Sequence, residues 1–271
     1  MCLFFILFKD PKNINMEVHH HTHHPKKWKE YISEFFMLFM AVFAGFMAES
    51  YLEYRAERHK EHDYLVSLIS DLKIDSADIS IKEKNMNDAV NWGSKVSELV
   101  YKDKWMKTYS DSIYIWSENM FATEIVLQYA DGTIDQLKNA GGFRLIKNNN
   151  VSEKIKDYIK GQSRIKGQEE GVLHTFENLL SIKNNLLYAK VFNYTGDVLN
   201  GRSNITLLNE KLNLIKSKTG SKFLSNDQSE FVKLSNTAMI YAGQLYVYRA
   251  MAISQKEKAT ELIKIIQEEI K

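Results

Sequence analysis

The stretch Glu34–Glu49, EFFMLFMAVFAGFMAE, determines how the rest of this chain is interpreted. Between its two carboxylates, the fourteen residues of Phe35–Ala48 are all apolar or glycine, so a helix here has no polar stripe to turn towards water. That length gives about 21 Å of helix, less than the ~30 Å hydrocarbon core of a bilayer. Apolar and aromatic neighbours lengthen the segment to about 33 Å: Tyr31, Ile32, Tyr51 and Leu52. We therefore predict a transmembrane helix over residues 31–52.

The flanks of this segment predict a permanent anchor and its orientation. Residues 48–62, AESYLEYRAERHKEH, continue the helical pattern where a cleavable signal peptide would end. Lys26, Lys27 and Lys29 lie close together before the span, whereas the basic residues after it are interleaved with acids. This modest bias favours a cytoplasmic N-terminus. In a bacterium, it predicts a periplasmic body on a single-pass anchor in the inner membrane.

Small residues lie on one face of the predicted span. Ala41 and Gly45 are four residues apart, with Ala44 and Ala48 beside them. Small side chains at this spacing let two helices approach closely in lipid. The face is therefore a candidate helix–helix interface in the membrane, although alanine and glycine are also common in spans without such an interface.

Residues 1–30 form a leader with a His-rich tract. Five histidines lie within residues 19–24, a composition that can chelate Zn, Ni or Cu. A specific metal site needs ligands in fixed geometry, so we predict no metal or cofactor site and expect a solvated tail that lies against anionic headgroups when protonated. Physiological metal binding is the alternative. Met16 is an alternative translation start to Met1, and the single cysteine, Cys2, excludes internal disulfides.

Apolar residues recur at steps of three and four along most of residues 53–271, and each such line of residues is called a seam below. Seams run through Leu65–Met86, Val151–Leu179 and Phe231–Ile266, and an aromatic-rich helical stretch covers Asp111–Ala130. No proline follows Pro25 to interrupt a helix. A sustained period of about 3.5 residues is what helices packed side by side require. We predict an all-α fold, with the N-terminal transmembrane helix followed by an antiparallel bundle of about four long helices.

A polar, glycine-bearing region near residues 194–226 interrupts this pattern. It contains one amphipathic insert, ITLLNEKLNLI, at residues 205–215. We predict a long crossover here and expect it to be the most mobile part of the bundle domain. A short helix bracketed by glycines, TIDQLKNA at residues 133–140, is predicted to form a corner between the second and third long helices.

Four polar residues occupy seam positions where apolar side chains are expected: Asp75, Gln162, Glu169 and Gln255. In a bundle, such groups can form a polar layer that sets the register of the helices, or they can line a ligand pocket. We expect them instead to face water, because the seam is wider than two positions. Asp71, Asp75 and Asp78 form a carboxylate stripe, but di-metal bundles need Glu-x-x-His pairs on facing helices, and we predict no such centre.

No motif in the chain predicts a catalytic centre. It lacks a glycine-rich phosphate loop, the H-E-x-x-H and G-x-S-x-G motifs and a catalytic Cys–His pair. The formal net charge of +2 provides no basic footprint for nucleic acid. We therefore predict no enzyme activity, no nucleic-acid partner and no small-molecule substrate. The expected partners are membrane lipid and either another protein or further copies of the chain.

Three stretches carry a resemblance to a known family: MEVHHHTHHPKKWKEYISEFFMLFMAVFAGFMAES (Met16–Ser50), YLVSLISDLKIDSADI (Tyr64–Ile79) and QLKNAGGFRLIKNNNVSEKIKDYI (Gln136–Ile159). They resemble a family of single-span membrane proteins from Bacteroidota with a His-rich N-terminal leader, a span ending in AE and a Leu-rich acidic helix directly after it. The likeness thins out after Phe176. It implies a single-span membrane protein and transfers no activity and no site residues.

Three functions fit these features. The first, which we predict, is a membrane-anchored helical scaffold or interaction subunit of a bacterial envelope complex. The second is a periplasmic ligand-sensing bundle, which needs an output domain or partner inside the cell. About 15–27 residues are expected inside the cell, which is too few for a domain. The third is an accessory metal-handling protein that uses the His-rich tract.

Overall fold

The computed structural model describes residues 27–139, 141–191 and 205–271, and the regular elements within these ranges are helices. The predicted all-α fold is confirmed. The chain divides into two compact units, Met1–Ala56 and Glu57–Lys271. The predictions for the His-rich tract and for the choice between Met1 and Met16 lie outside the described residues.

Seven α-helices follow one another along the described residues. They are α1 (Trp28–Leu99), α2 (Trp105–Thr108), α3 (Ser110–Phe121), α4 (Gly132–Asn139), α5 (Asn149–Leu186), α6 (Ile205–Thr219) and α7 (Gln228–Glu269). Short 3-10 helices cover Gly142–Arg144 and Ala189–Val191. Two of the long helices begin at good N-caps: the Asn148 side chain accepts hydrogen bonds from the first turn of α5, and the Asp227 side chain does so for α7.

The first unit contains the N-terminal part of α1, where the membrane span is predicted. All residues of Trp28–Ala56 are exposed. An 18-residue window of α1 reaches a mean hydropathy of 1.8 with no residue buried. Within the described ranges, α1 is the one helix that is long and apolar enough to cross a membrane.

The second unit is a bundle whose long helices are the remainder of α1, α5 and α7. α5 and α7 run antiparallel, as two contacts far apart along them show. The Lys154 ammonium binds the Glu261 carboxylate at 2.6 Å, and the Gln168 side chain donates to the Gln244 carbonyl at 3.5 Å. Position numbers rise on α5 as they fall on α7, so this pair is antiparallel.

α1 and α5 run parallel to each other. The Glu61 carboxylate of α1 accepts from the Lys147 N–H just before α5, and Asp75 accepts from Tyr158 further along both helices. The chain between α1 and α5 therefore returns along the bundle before α5 begins.

α1 and α7 are also antiparallel and approach each other closely at Gly93. A Cβ atom at this position would lie 3.2 Å from the Ala238 carbonyl oxygen and 3.3 Å from the Ala242 Cβ. One turn further along α1, the Ser97 carbonyl accepts a hydrogen bond from the Ser235 hydroxyl at 2.7 Å. Glycine therefore lets the two helices pack closely at this point.

The leg that returns from α1 to α5 differs from the prediction. The sequence predicts a helix over Asp111–Ala130, but α3 ends at Phe121 and residues 123–131 are not helical. In this connecting segment, Ile125 and Leu127 are buried while the residues next to them are not. A period of two is that of an extended chain. The four long helices of the prediction are therefore three long helices and one leg that is part helix and part extended chain.

The predicted crossover at residues 194–226 lies only partly within the described residues. Its amphipathic insert is confirmed as helical in α6, whose Leu212 is fully buried. Beyond α6, the buried Phe223 ring stacks on Tyr114 of α3 with centroids 5.9 Å apart. The Leu224 N–H then donates to the Leu186 carbonyl at the end of α5 (2.9 Å). The described part of the crossover is thus attached to the bundle at several points.

The buried apolar side chains of the second unit form two clusters. On α1, Leu72 belongs to the first cluster and Ile79 to the second. Between these clusters, each long helix contributes one buried polar side chain: Asp75, Gln162 and Gln255. A polar layer therefore crosses the bundle between two apolar regions, and it is the most unusual feature of the interior.

Candidate functional site

The polar layer joins the three long helices through Tyr158. The Asp75 carboxylate of α1 accepts a hydrogen bond from the Tyr158 hydroxyl of α5 at 2.6 Å. The Gln255 amide of α7 donates to the main-chain carbonyl of the same tyrosine at 2.9 Å. One turn further along α5, Gln162 donates to the Asp131 carboxylate at 3.1 Å. Hydrogen bonds are directional, so they fix the three helices at one relative height.

Gly161 provides the space that this arrangement needs. A Cβ atom at position 161 would overlap the side-chain amide of Gln255. With glycine there, the Gln255 side chain lies flat on α5 and reaches the Tyr158 carbonyl. The glycine next to the polar layer is therefore a packing requirement rather than a turn signal.

The carboxylate stripe of α1 binds the connecting segment and the start of α4. Each carboxylate accepts one backbone N–H, and the order along the segment is opposite to the order along α1. The pairs are Asp78 with Gln128 (2.9 Å), Asp75 with Ala130 (2.7 Å) and Asp71 with Thr133 (3.1 Å). Alternate N–H groups of an extended chain point to the same side, as those of Gln128 and Ala130 do. In a sheet, the neighbouring strand provides acceptors for these N–H groups. Here the carboxylates of α1 provide them instead.

The other side of the connecting segment is bound by α5 and α7. The Leu127 N–H donates to the Glu169 carboxylate of α5 at 3.2 Å. The Tyr248 hydroxyl of α7 donates to the same carboxylate. N–H groups on both sides of the segment are therefore bonded to side chains of the long helices, which keeps the segment inside the bundle.

The site is rich in acidic groups, and this changes how they ionise. Burial raises the pKa of Asp75 above its usual range; the hydrogen bonds from Tyr158 and Ala130 oppose this shift only in part, and neighbouring carboxylates add to it. Burial also raises the pKa of Tyr129, whose hydroxyl is buried with no hydrogen-bond partner among the described residues. Ionised Asp75 is thus destabilised in the folded state.

The expectation that the polar seam residues face water is wrong for three of the four. Asp75, Gln162 and Gln255 are 1%, 5% and 2% exposed, and Glu169 is half-buried. The alternative of a polar layer describes the structure. Tyr158 and Tyr248 lie within the predicted apolar seams, and their hydroxyls donate to Asp75 and Glu169. Periodicity assigns a tyrosine to the core but does not reveal which carboxylate its hydroxyl reaches.

The candidate membrane interface lies in the first unit. Ala41, Ala44, Gly45 and Ala48 are all exposed on one face of α1. On the opposite side of the helix, the Phe39 ring stacks on Phe35 and Phe43 with centroids 6.3 and 6.0 Å apart. This part of α1 therefore has an aromatic ridge on one side and a smooth surface of small residues on the other.

The acidic side chains around the connecting segment bind its backbone N–H groups. Among residues 27–139, 141–191 and 205–271, no group of three or more His, Cys, Asp or Glu side chains is placed to hold a metal ion. The carboxylates of α1 instead accept backbone N–H groups. The chemistry of this site is therefore the positioning of a chain segment.

Comparisons with known proteins find no relative of this chain. No protein-family model, no curated protein and no solved structure matches it. Its function is therefore inferred from the exposed apolar part of α1 and from the interior of the bundle.

Replacing Asp75 with alanine tests the polar layer. The change leaves the Tyr158 hydroxyl and the Ala130 N–H without their acceptor, so we expect the free energy of unfolding to fall by about 2–3 kcal/mol. Asp78→Ala is the matched control, since the exposed Gln128 N–H can bind water instead, and it should cost less than about 1 kcal/mol. Chemical denaturation of the detergent-solubilised chain measures both losses. Equal losses would contradict the polar layer.

Replacing Asp75 with asparagine tests the raised pKa. The folded state binds the Asp75 proton more tightly than the unfolded state does, so this group stabilises the fold fully below its unfolded pKa of about 3.9. That contribution is lost as pH rises through the raised folded pKa. We expect the free energy of unfolding of Asp75→Asn, minus that of the wild type, to rise with pH above about 4 and then to level off. A difference that stays flat or falls would show that the pKa is not raised.

Proposed function

We propose that this chain is a membrane-anchored helical scaffold, an interaction subunit of a bacterial envelope complex without catalytic activity. Its N-terminus lies in the cytoplasm, residues 31–52 cross the inner membrane once, and the bundle lies in the periplasm. The observation that supports this most directly is the fully exposed apolar part of α1, which would place hydrocarbon in water unless lipid surrounds it. The lysines before the span support the orientation.

The resemblance to the single-span family of Bacteroidota supports the same placement. That family shares the His-rich leader, the span that ends in AE and the acidic helix that follows. We propose membership of it on those stretches. The resemblance adds no active-site residues, which fits a scaffold better than an enzyme.

The interior of the bundle favours a scaffold over a ligand sensor. A sensing bundle needs polar side chains that point into a pocket. Gln162 and Glu169 instead bind Asp131, the Leu127 N–H and the Tyr248 hydroxyl. Ligand sensing is therefore the second candidate, and metal handling by the His-rich tract is the third.

The placement in the membrane is tested by cysteine accessibility. In a Cys2→Ser background, we expect Lys271→Cys to react with a membrane-impermeant maleimide in cells with a permeabilised outer membrane. Thr22→Cys should react only after lysis, because the inner membrane shields the cytoplasmic side. The reverse pattern would contradict the orientation.

The anchor itself is tested by extraction with alkaline carbonate. Wild-type chain should stay with the membrane pellet. The double variant Val42→Arg/Phe43→Arg should be lost from it, because each arginine near the middle of a span costs about 2.5–3.5 kcal/mol of insertion free energy. Val66→Arg, at an exposed valine later in α1, is the control and should stay in the pellet. Equal extraction of both variants would contradict an anchor at residues 31–52.

The scaffold function is tested by cross-linking mass spectrometry in native membranes. We expect cross-links from lysines of the bundle to a small, reproducible set of envelope proteins or to further copies of the chain, at fixed stoichiometry. Recovery of the chain with bulk lipid alone would contradict a scaffold. Cross-linking addresses the partner directly because it needs no assumption about activity.

A further inference from the structure

α7 carries a second apolar surface on the side away from the core. Between Leu234 and Gln255 it has one charged residue, Arg249, which pairs with Glu83 of α1 at 3.1 Å. Four large apolar side chains of this stretch are 47–64% exposed: Met239, Ile240, Tyr246 and Val247. Gly243 and Ala250 are exposed between them. These six residues are called the outer face of α7 below.

The outer face repeats every seven residues. The pairs are Met239 with Tyr246, Ile240 with Val247 and Gly243 with Ala250. At about 100° per residue, the six residues share one side of the helix, opposite the buried seam that contains Leu245. A seven-residue repeat keeps one face in register with another helix that lies alongside. A helix that is apolar on both sides is normally covered on both sides.

The middle of the outer face permits close approach. A Cβ atom at Gly243 would meet no atom within 4 Å, and the same holds for Gly167 and Gly171 of the neighbouring helix α5. Gln168 lies between those two glycines in the sequence and donates to the Gln244 carbonyl, so this part of α5 lies beside α7. Small residues thus lie between larger apolar side chains on this surface, and the side chains of a second helix can pack into such a pattern.

We infer that the outer face of α7 packs against the outer face of a second copy of the chain. A two-fold interface brings a surface against itself, so a charged face would repel its own copy, whereas this face is uncharged. Its large side chains and its small residues also lie on the same surface, so the large side chains of one copy can pack beside the small residues of the other. The occupant that meets both conditions without a further partner is the chain itself.

The size of the face indicates when this contact forms. Four half-exposed side chains remove on the order of 400 Å² per copy from water, against about 800 Å² per partner in a standard stable interface. Such a contact is too small to hold two freely diffusing chains. It is sufficient for two chains confined to one membrane, where the effective concentration is high. The inference that this small contact holds two copies together rests on the membrane anchor of the proposed function.

Cysteine cross-linking of the full chain in its membrane tests the inference. In a Cys2→Ser background, Ala250→Cys puts a thiol on the outer face, at its C-terminal end. Ala77→Cys, at an exposed alanine of α1, is the matched control. With a short bismaleimide, we expect Ala250→Cys to give several-fold more covalent dimer than Ala77→Cys. Equal yields, or no dimer from either cysteine, would overturn the inference.

A charge placed on the outer face separates this contact from one through the anchor. Ile240→Glu, added to Ala250→Cys, buries two carboxylates against each other and should remove most of the dimer. Ile81→Glu, at an isoleucine of α1 with similar exposure (61% against 57%), should leave the dimer unchanged. A dimer that survives Ile240→Glu is held elsewhere and overturns the inference, as does an Ala250 cross-link made only to another protein.

Carbonate extraction of the same samples measures the anchor independently. Chains that stay in the pellet and fail to cross-link through Ala250 refute the outer-face contact and leave the anchor intact. Chains that wash off and still cross-link through Ala250 refute the anchor and retain the contact. Chains that wash off without cross-linking refute both.

Discussion

A buried backbone N–H must have an acceptor, and this constraint shapes the second unit more than any other. The connecting segment at residues 123–131 is non-helical and lies among helices, where no strand is available to pair with it. Carboxylates of α1 and α5 supply the acceptors instead: Asp75 for the Ala130 N–H and Glu169 for the Leu127 N–H. Acidic side chains are thereby fixed inside a helical bundle, at a cost that the raised pKa of Asp75 reflects.

The same hydrogen bonds set the register of the long helices. Apolar seams alone tolerate a shift of one helix by a full turn, because leucine packs against leucine at either height. Tyr158 removes that freedom, since its hydroxyl binds Asp75 and its carbonyl accepts from Gln255. The polar layer therefore combines two tasks, which are to hold the connecting segment and to specify one alignment of α1, α5 and α7. Its position between two apolar clusters keeps it away from bulk water.

Two exposed surfaces, one on α1 and one on α7, are apolar. In the first unit, the exposed part of α1 presents small residues on one side and stacked phenylalanines on the other. In the second unit, α7 presents its outer face. The acidic groups of the polar layer, in contrast, are engaged with backbone and tyrosine hydroxyls. The engaged carboxylates of the polar layer and the exposed apolar faces of α1 and α7 are the physical basis of the proposed scaffold.

The sequence by itself determined the features that depend on local pattern. The all-round apolar segment at Phe35–Ala48, the long helices with their period of about 3.5 residues and the helical insert of α6 are all readable because hydrophobic spacing maps directly onto one helix. The sequence around Ile125 and Leu127 also alternates between buried and less buried positions, which is typical of an extended chain. The helix predicted over Asp111–Ala130 covers this stretch, so the sequence prediction misses the extended segment. Only the tertiary structure decided that Asp75 is buried, because its partners lie 55 and 83 positions away, at Ala130 and Tyr158. Whether a polar residue on a seam faces water or the core depends on which segment of the chain packs against it. The spacing of residues along one helix does not determine that segment.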